Sequence, residues 1–259
     1  MNVELLNKTL VKENLLRYII HFEELDSTNN YAKENNLPGD GIVITSHQKA
    51  GKGRFGRKWL SAYDEDLTFT LTKKFKINID NLHLVNFYTS YILSETLNSF
   101  FSNYPHLRFH LKWPNDILVN QKKVSGILLE IRNLNEEEKI FHIGIGINVN
   151  KALIPEDISH KATSIFHETH KSHEIEKILI MFVEKFYECL NLINEDSKLM
   201  TLWKNNSDLL GKQVRFLVVA DSHEEEAKII NIENDGGLKV LLSDGNIKKF
   251  HSGEITFVY

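Results

Sequence analysis

Gly41-Ile42-Val43-Ile44-Thr45-Ser46-His47-Gln48-Lys49-Ala50-Gly51-Lys52-Gly53-Arg54-Phe55-Gly56-Arg57-Lys58-Trp59 carries an apolar, β-branched run straight into a loop that packs three glycines and five cationic side chains into residues 48–59. Downstream, Leu67-Thr68-Phe69-Thr70-Leu71-Thr72 alternates apolar and polar residues, the period-two mark of a strand buried on one face only. The basic loop is therefore anchored by strands on both sides. Its glycines let the backbone come close to a ligand, while Lys and Arg set positive charge and guanidinium forks where phosphate or carboxylate oxygens would sit. The order Gly51-x-Gly53-x-x-Gly56-Arg57 is not a Walker loop, and it lacks the acidic residue and helix start of a dinucleotide fingerprint. Spacing alone leaves open a solvated basic loop or an Arg/Gly element that touches nucleic acid.

Outward from this loop, 259 residues with 42% hydrophobic content suit one large or two unequal domains with a buried core. A formal charge of -4 and a pI near 6.3 argue against wholesale nucleic-acid binding and make the 49–58 cluster a local positive patch. The single Cys189 excludes an internal disulfide and reads as a small buried hydrophobe. No basic leader and no run of eighteen apolar residues is present, so the expectation is a cytoplasmic protein with no membrane span. Apolar residues near helical spacing predict one helix over 84–100 and another over 174–193. Short β-rich runs at 108–112, 117–119, 124–131 and 140–147 predict antiparallel hairpins. Beyond Leu209-Leu210-Gly211 come short strands at 214–219, 227–232, 238–242 and 247–250, with Asp235-Gly236-Gly237 and Asp244-Gly245 turns. The expected architecture is α+β: a mixed, mainly antiparallel sheet backed by helices in a catalytic domain over 1–208, then a small C-terminal β-barrel over 209–259.

Several motifs point to chemistry. Pro114 stiffens Lys112-Trp113-Pro114-Asn115-Asp116 into a corner between two strands that presents Lys112, Asn115 and Asp116, although a plain turn would use the same residues. Adjacent strand residues face opposite ways, so only one of Lys122 and Lys123 is expected to face a site; two solvated lysines at a hairpin are the alternative. Gly144-Ile145-Gly146-Ile147-Asn148 weakens a strand unless the glycine face must admit something flat. Ser27 and Thr28, followed by Asn30-Tyr31-Ala32-Lys33, suit a helix N-cap. No Ser/His/Asp or Cys/His pattern stands out among twelve histidines.

Taken in order, Leu25-Asp26-Ser27-Thr28-Asn29-Asn30, the glycine-rich loop, the Lys112–Asp116 corner, Lys123-Val124-Ser125-Gly126-Ile127 and Gly144–Asn148 resemble a biotin protein ligase. The likeness is strong over residues 25–150 and weaker into the last fifty. It implies a class II synthetase-like catalytic domain and an SH3-like barrel, in the short form without an N-terminal DNA-binding domain, since residues 1–20 are too few for one. It implies ATP, Mg²⁺ and biotin as ligands, biotinyl-5'-AMP as intermediate, and a lysine of a carboxylase's biotin carboxyl carrier domain as acceptor. DNA and membrane are not implied partners, and a homodimer is preferred over a monomer. By the same likeness Arg54, Lys112 and Lys123 are the catalytic cations, Lys123 rather than Lys122 being the family's lysine. Ser27, Thr28, Asn29, Gln48, Gly51, Lys52, Gly53, Arg54, Lys123, Gly126 and Gly144 would hold biotin. Arg54, Arg57, Trp59, Lys112, Asn115, Asp116, Lys123, Gly146 and Asn148 would hold the nucleotide, with Asp116 also the candidate metal ligand. The ring of adenine or biotin would lie on the glycine face, and the loop would act as a lid with Trp59 at its base. Two departures are visible: Lys52 stands where the family has Arg, and His251-Ser252-Gly253-Glu254-Ile255 has Ser in place of a glycine of the barrel's Gly-Gly-Glu-Ile run. A lipoate ligase of the same superfamily, a catalytically dead biotin sensor and a nucleic-acid-binding module are the alternative readings.

Overall fold

The computed structural model describes residues 1–218 and 223–257. Strands β1 (Tyr18–Leu25), β2 (Gly41–Gln48), β5 (Leu67–Lys76), β6 (Phe109–Lys112), β7 (Asp116–Val119), β8 (Lys122–Asn133) and β9 (Glu138–Ile147) form a seven-stranded sheet in the order β1-β2-β5-β9-β8-β7-β6. Only β1 and β2 run parallel, because α2 (Thr28–Glu34) carries the chain back between them; every other neighbour is antiparallel. Between β2 and β5, the two-residue strands β3 (Gly51–Lys52) and β4 (Lys58–Trp59) make the basic loop a small hairpin.

One face of the sheet is apolar and lies under α3 (Leu82–Phe100) and α5 (Ile175–Glu188). Phe69 of β5 meets Phe182 of α5 edge to face, with ring centroids 5.8 Å apart, and Ile143 and Ile145 belong to the same core. Near the N-terminus, α1 (Val3–Leu6) and the turn after it bury Leu6 and Leu10 in this core. Helix α4 (Ile165–Thr169) follows the sheet, and α6 (Asp196–Asn205) buries Trp203 against Phe87 of α3. The expected helices over 84–100 and 174–193 are present, the second ending at Glu188 before a 3-10 turn that Cys189, partly buried, introduces.

The other face of β5 differs from its expected exposure. Thr68, Thr70 and Thr72 are as buried as Leu67, Phe69 and Leu71. Alternation marked the polar face correctly but did not show that it is covered: Thr70 Oγ1 lies 2.8 Å from Thr28 Oγ1 and 2.7 Å from Asn29 Oδ1 of α2, Thr72 Oγ1 donates to Pro38 O at 2.8 Å, and Thr68 Oγ1 is buried without a partner.

A second, five-stranded antiparallel sheet follows in the order β13-β12-β11-β10-β14, built from β10 (Gln213–Val218), β11 (His223–Ile232), β12 (Leu238–Leu242), β13 (Ile247–Phe250) and β14 (Glu254–Phe257). It matches the small C-terminal barrel, with one strand more than the sequence suggested; Val219 of the expected 214–219 run lies outside the described residues. Its apolar side chains join the main core: Phe216 lies 6.3 Å from Trp113 between ring centroids, and the Trp113 indole Nε1 donates to the Gly236 carbonyl at 3.0 Å.

Candidate functional site

A cavity of about 810 Å³ opens on the threonine-glycine face of the main sheet, walled by the N-terminus of α2, the β3–β4 hairpin, the β6–β7 corner and the starts of β8 and the last turns of β9. Each boundary has a local cause. Ser27 caps α2, its Oγ accepting from Asn30 N, so that Thr28 and Asn29 enter the helix with their side chains toward the sheet. Gln48 Oε1 accepts from Thr28 N at 2.9 Å and from its hydroxyl at 3.3 Å. Asn29 is held from both ends: Oδ1 accepts from Thr70, while Nδ2 donates to Leu128 O at 3.2 Å and to Glu130 Oε2 at 3.1 Å. Glu130 is in turn paired with Lys33 at 2.7 Å. This end of the cavity is a fixed array of hydroxyls and amides.

The opposite end is cationic. Lys112 and Asp116 face each other across the β6–β7 turn, and Lys123 Nζ lies 2.6 Å from Asp116 Oδ1. Arg54 reaches across from the hairpin and donates through Nη1 to Asn115 Oδ1 at 3.2 Å, while Asn115 Nδ2 donates to Ile127 O at 2.6 Å. Burial holds Lys112 and Arg54 below their ordinary pKa values, offset in part by Asp116 and reinforced by neighbouring cations. Asp116 is the one acidic residue among the described residues of the wall, so the surplus charge there is positive.

Most of the sequence-predicted residues come together around this cavity. Ser27, Thr28, Asn29, Gln48, Lys52, Gly53, Arg54, Arg57, Trp59, Lys112, Asn115, Asp116, Lys123, Gly126, Gly144, Gly146 and Asn148 all line it. Gly51 does not. It pairs with Trp59 in the hairpin and sits behind Gln48, whose amide nitrogen would be 2.5 Å from a Cβ there. Lys122 reaches the wall as well as Lys123, contrary to strict alternation; residues 158–162 continue the wall beside the start of β8, with Lys123 N donating to Lys161 O at 2.9 Å.

The glycine face is also filled differently from the expectation. The flat group on it is the Trp59 indole: a Cβ at Gly146 would lie 2.3 Å from that ring, and one at Gly144 would lie 2.7 Å from Asn29 Oδ1. Trp59 Nε1 is buried without a hydrogen-bond partner. Asn148, expected to offer its amide to a ligand ring, spends it on the protein, donating to Thr163 O at 2.9 Å and accepting from Lys151 Nζ at 3.2 Å. Among the described residues no three His, Cys, Asp or Glu side chains gather as a metal site, and Asp116 is already paired with Lys123.

Other parts of the wall escaped the sequence reading. Residues 154–162 supply Ile154, Pro155, Ile158 and Ala162 as an apolar rim, and no periodic pattern marks that irregular segment. Lys151, nearly buried, reaches the wall from just past the Gly144–Asn148 motif; an isolated lysine carries no signal. Gly253 and Ile255 arrive from the second sheet, so the motif near the chain's end does reach the site.

The model of the biotin/lipoate A/B protein ligase family matches residues 21–150. The chain is 26% identical over 255 residues to the bifunctional ligase/repressor BirA of Bacillus subtilis, across 95% of this chain and 76% of that protein. It is 32% identical over 126 residues to the biotin–[acetyl-CoA-carboxylase] ligase of Paracoccus denitrificans, across 48% of this chain and 51% of that one. The biotin protein ligase from Aquifex aeolicus in complex with biotin and ATP superposes with a TM-score of 0.76 at 30% identity, over 93% of this chain and 98% of that chain.

Proposed function

Because the chain belongs to the biotin/lipoate A/B protein ligase family, we propose that it is an ATP-dependent ligase that activates biotin as biotinyl-5'-AMP and passes it to a lysine of a biotin carboxyl carrier domain. The observation that carries this reading is the polarity of one cavity, with neutral hydroxyls and amides at one end and Arg54, Lys112 and Lys123 at the other. A ureido ring needs neutral donors and acceptors, and a carboxylate beside a triphosphate needs cations. Ser27, Thr28 and Gln48 suit the ring. Asn29, whose amide is spent on Thr70, Leu128 and Glu130, suits the shape of that end more than a further polar contact.

In the first step a biotin carboxylate oxygen attacks the α-phosphorus, an oxygen–phosphorus bond forms, and the bond to pyrophosphate breaks. The carboxylate is already ionised at neutral pH, so no base is needed and the protein's work is positioning and charge stabilisation. On this reading Lys123 and Lys112 supply positive charge to the phosphoryl oxygens, and Arg54 adds a forked cation from the hairpin. A Mg²⁺ ion brought by the nucleotide would supply further charge neutralisation. It usually takes one or two carboxylates and the phosphates, and Asp116 would be the protein's contribution. In the second step the ε-amine of the acceptor lysine attacks the mixed anhydride carbonyl and AMP leaves. That anhydride hydrolyses unless water is excluded, which the hairpin and the apolar rim at 154–162 are suited to do.

Pyrophosphate release on mixing the chain with ATP, Mg²⁺ and biotin, and separately with lipoate, tests the proposal. Biotin-dependent release that Lys123→Ala reduces by about a hundredfold or more is expected. Release with lipoate alone would reassign the substrate, and release with neither acid would leave a sensor or a binding module.

A further inference from the structure

Lys151 and Asp66 form an ion pair at 2.8 Å that is almost wholly withdrawn from solvent, on strand ends that flank the return of the basic loop. Their partners all belong to one short segment or to the strand ends beside it. Lys151 Nζ also donates to the Leu60 carbonyl at 2.6 Å and to Asn148 Oδ1 at 3.2 Å, and Asp66 Oδ2 accepts from Ala62 N at 2.8 Å. Two further bonds hold the same segment, Gln48 N donating to Ser61 Oγ at 2.9 Å and Asp64 N to Ser46 O at 3.0 Å. Leu60 follows Trp59 directly, so the residue whose indole covers Gly146 is attached to a backbone fixed at its next three residues.

A buried charge pair is an expensive way to fasten a surface loop, since two charges must leave water; the arrangement has a second use in holding one group to one place. We infer that Lys151 and Asp66 are positioning residues that fix the indole of Trp59 over the glycine face, making residues 60–62 the immobile base about which the hairpin at 51–58 opens and closes. Neither side chain needs to touch substrate for this. Lys151 acts through the Leu60 carbonyl and Asp66 through the Ala62 amide, and both bonds constrain the exit of the hairpin rather than its tip. At the tip Phe55 is 47% exposed at positive φ, and an added Cβ at Gly56 would meet nothing within 4 Å. The hairpin thus has an exit tied into the interior and a tip that meets the corner through the Arg54–Asn115 bond, a contact that can release while the base stays in place, as a lid requires.

The test uses the tryptophans. Trp113 and Trp203 are buried, at 2% and 0% exposure, so acrylamide-quenchable emission reports on Trp59, with Trp59→Phe as the baseline. Lys151→Met is expected to raise the quenching constant roughly twofold or more while circular dichroism and the unquenched emission of the other two rings stay as in the parent. A merely structural role would expose all three rings together or none. Because a lone buried Asp66 charge could prevent folding, the double variant Lys151→Met with Asp66→Leu removes the pair without stranding a charge. It should show the same raised quenching. Parent-like quenching in either folded variant would overturn the inference. The kinetic consequence, a rise in KM for ATP and loss of bound adenylate larger than the fall in kcat, rests on the ligase reading. The fluorescence outcome does not, so absence of ligase activity in the parent leaves it intact.

Discussion

Arg54 is the side chain through which the loop and the corner meet, because its guanidinium donates to Asn115 before any ligand is present. A forked cation in that position draws the hairpin down on the cavity, and its removal should loosen the closed state more than the chemistry. Arg54→Gly is therefore expected to release about tenfold more biotinyl-adenylate into a filtrate than the parent when acceptor is absent. Equal amounts in the two filtrates would show that Arg54 does not retain the intermediate. A second residue acts on stability. His142 of β9 is wholly buried, neither ring nitrogen has a partner, and burial together with the nearby Arg132 and Lys33 holds its pKa down to about 4, against the pull of Glu130. The unfolded chain therefore takes up a proton near pH 6.5 that the folded chain refuses until about pH 4. Stability should fall by about 3 kcal/mol as pH drops through that window, and be unaffected by this group above it. Urea midpoints from pH 7 to 4.5 check this: His142→Leu should flatten the slope, and an unchanged slope would assign the effect to other groups.

At the scale of elements, β9 gives up packing to keep one face low. Gly144 and Gly146 point toward α2 and Trp59, where an added Cβ would meet Asn29 and the indole well inside contact distance. Gly144→Ala must shift an amide that is bonded at both ends, and Gly146→Ala must lift a ring. Each substitution should cost about 1–3 kcal/mol of stability. On the ligase reading Gly144→Ala should chiefly raise KM for biotin and Gly146→Ala KM for ATP, measured by initial rates. Equal effects of both on both substrates would mean that the face is not divided between the ligands. These positions were legible as an open face from the glycine alternation alone. What lies on that face was not, because Trp59 is 87 residues earlier in the chain (146 minus 59) and only the β3–β4 hairpin turns it inward. In the same way the period of β5 identified its threonine face but not its burial, which depends on a helix from a different part of the chain.

At the scale of the molecule, the two sheets share a core instead of meeting across water. Trp113 of the corner donates to Gly236 in the turn between β11 and β12, Gly236 abuts Phe87 of α3, and Gly253 and Ile255 reach the cavity wall. A chain cut after residue 208 would leave the Trp113 indole donor buried without its acceptor, at about 1–3 kcal/mol, and would uncover Phe87. We expect that fragment to melt well below the intact chain by circular dichroism, and the intact chain to unfold in one transition; an unchanged melting point would make 1–208 an independent domain. Among the described residues no helix is long and apolar enough to cross a membrane. The sequence by itself determined the element types and the mixed sheet with its small C-terminal companion, because hydrophobic period and turn residues are local quantities, and its resemblance to a ligase family pointed to most of the residues around the cavity. Only the tertiary structure decided that Trp59 covers the glycine face, that Asn148 is committed to Thr163 and Lys151, and that Lys151 and Asp66 pair in the interior. Apart from the Asn148–Lys151 bond, each of these joins residues well separated in sequence, and a hydrogen bond or an ion pair depends on distance in space, which no local pattern of residues encodes.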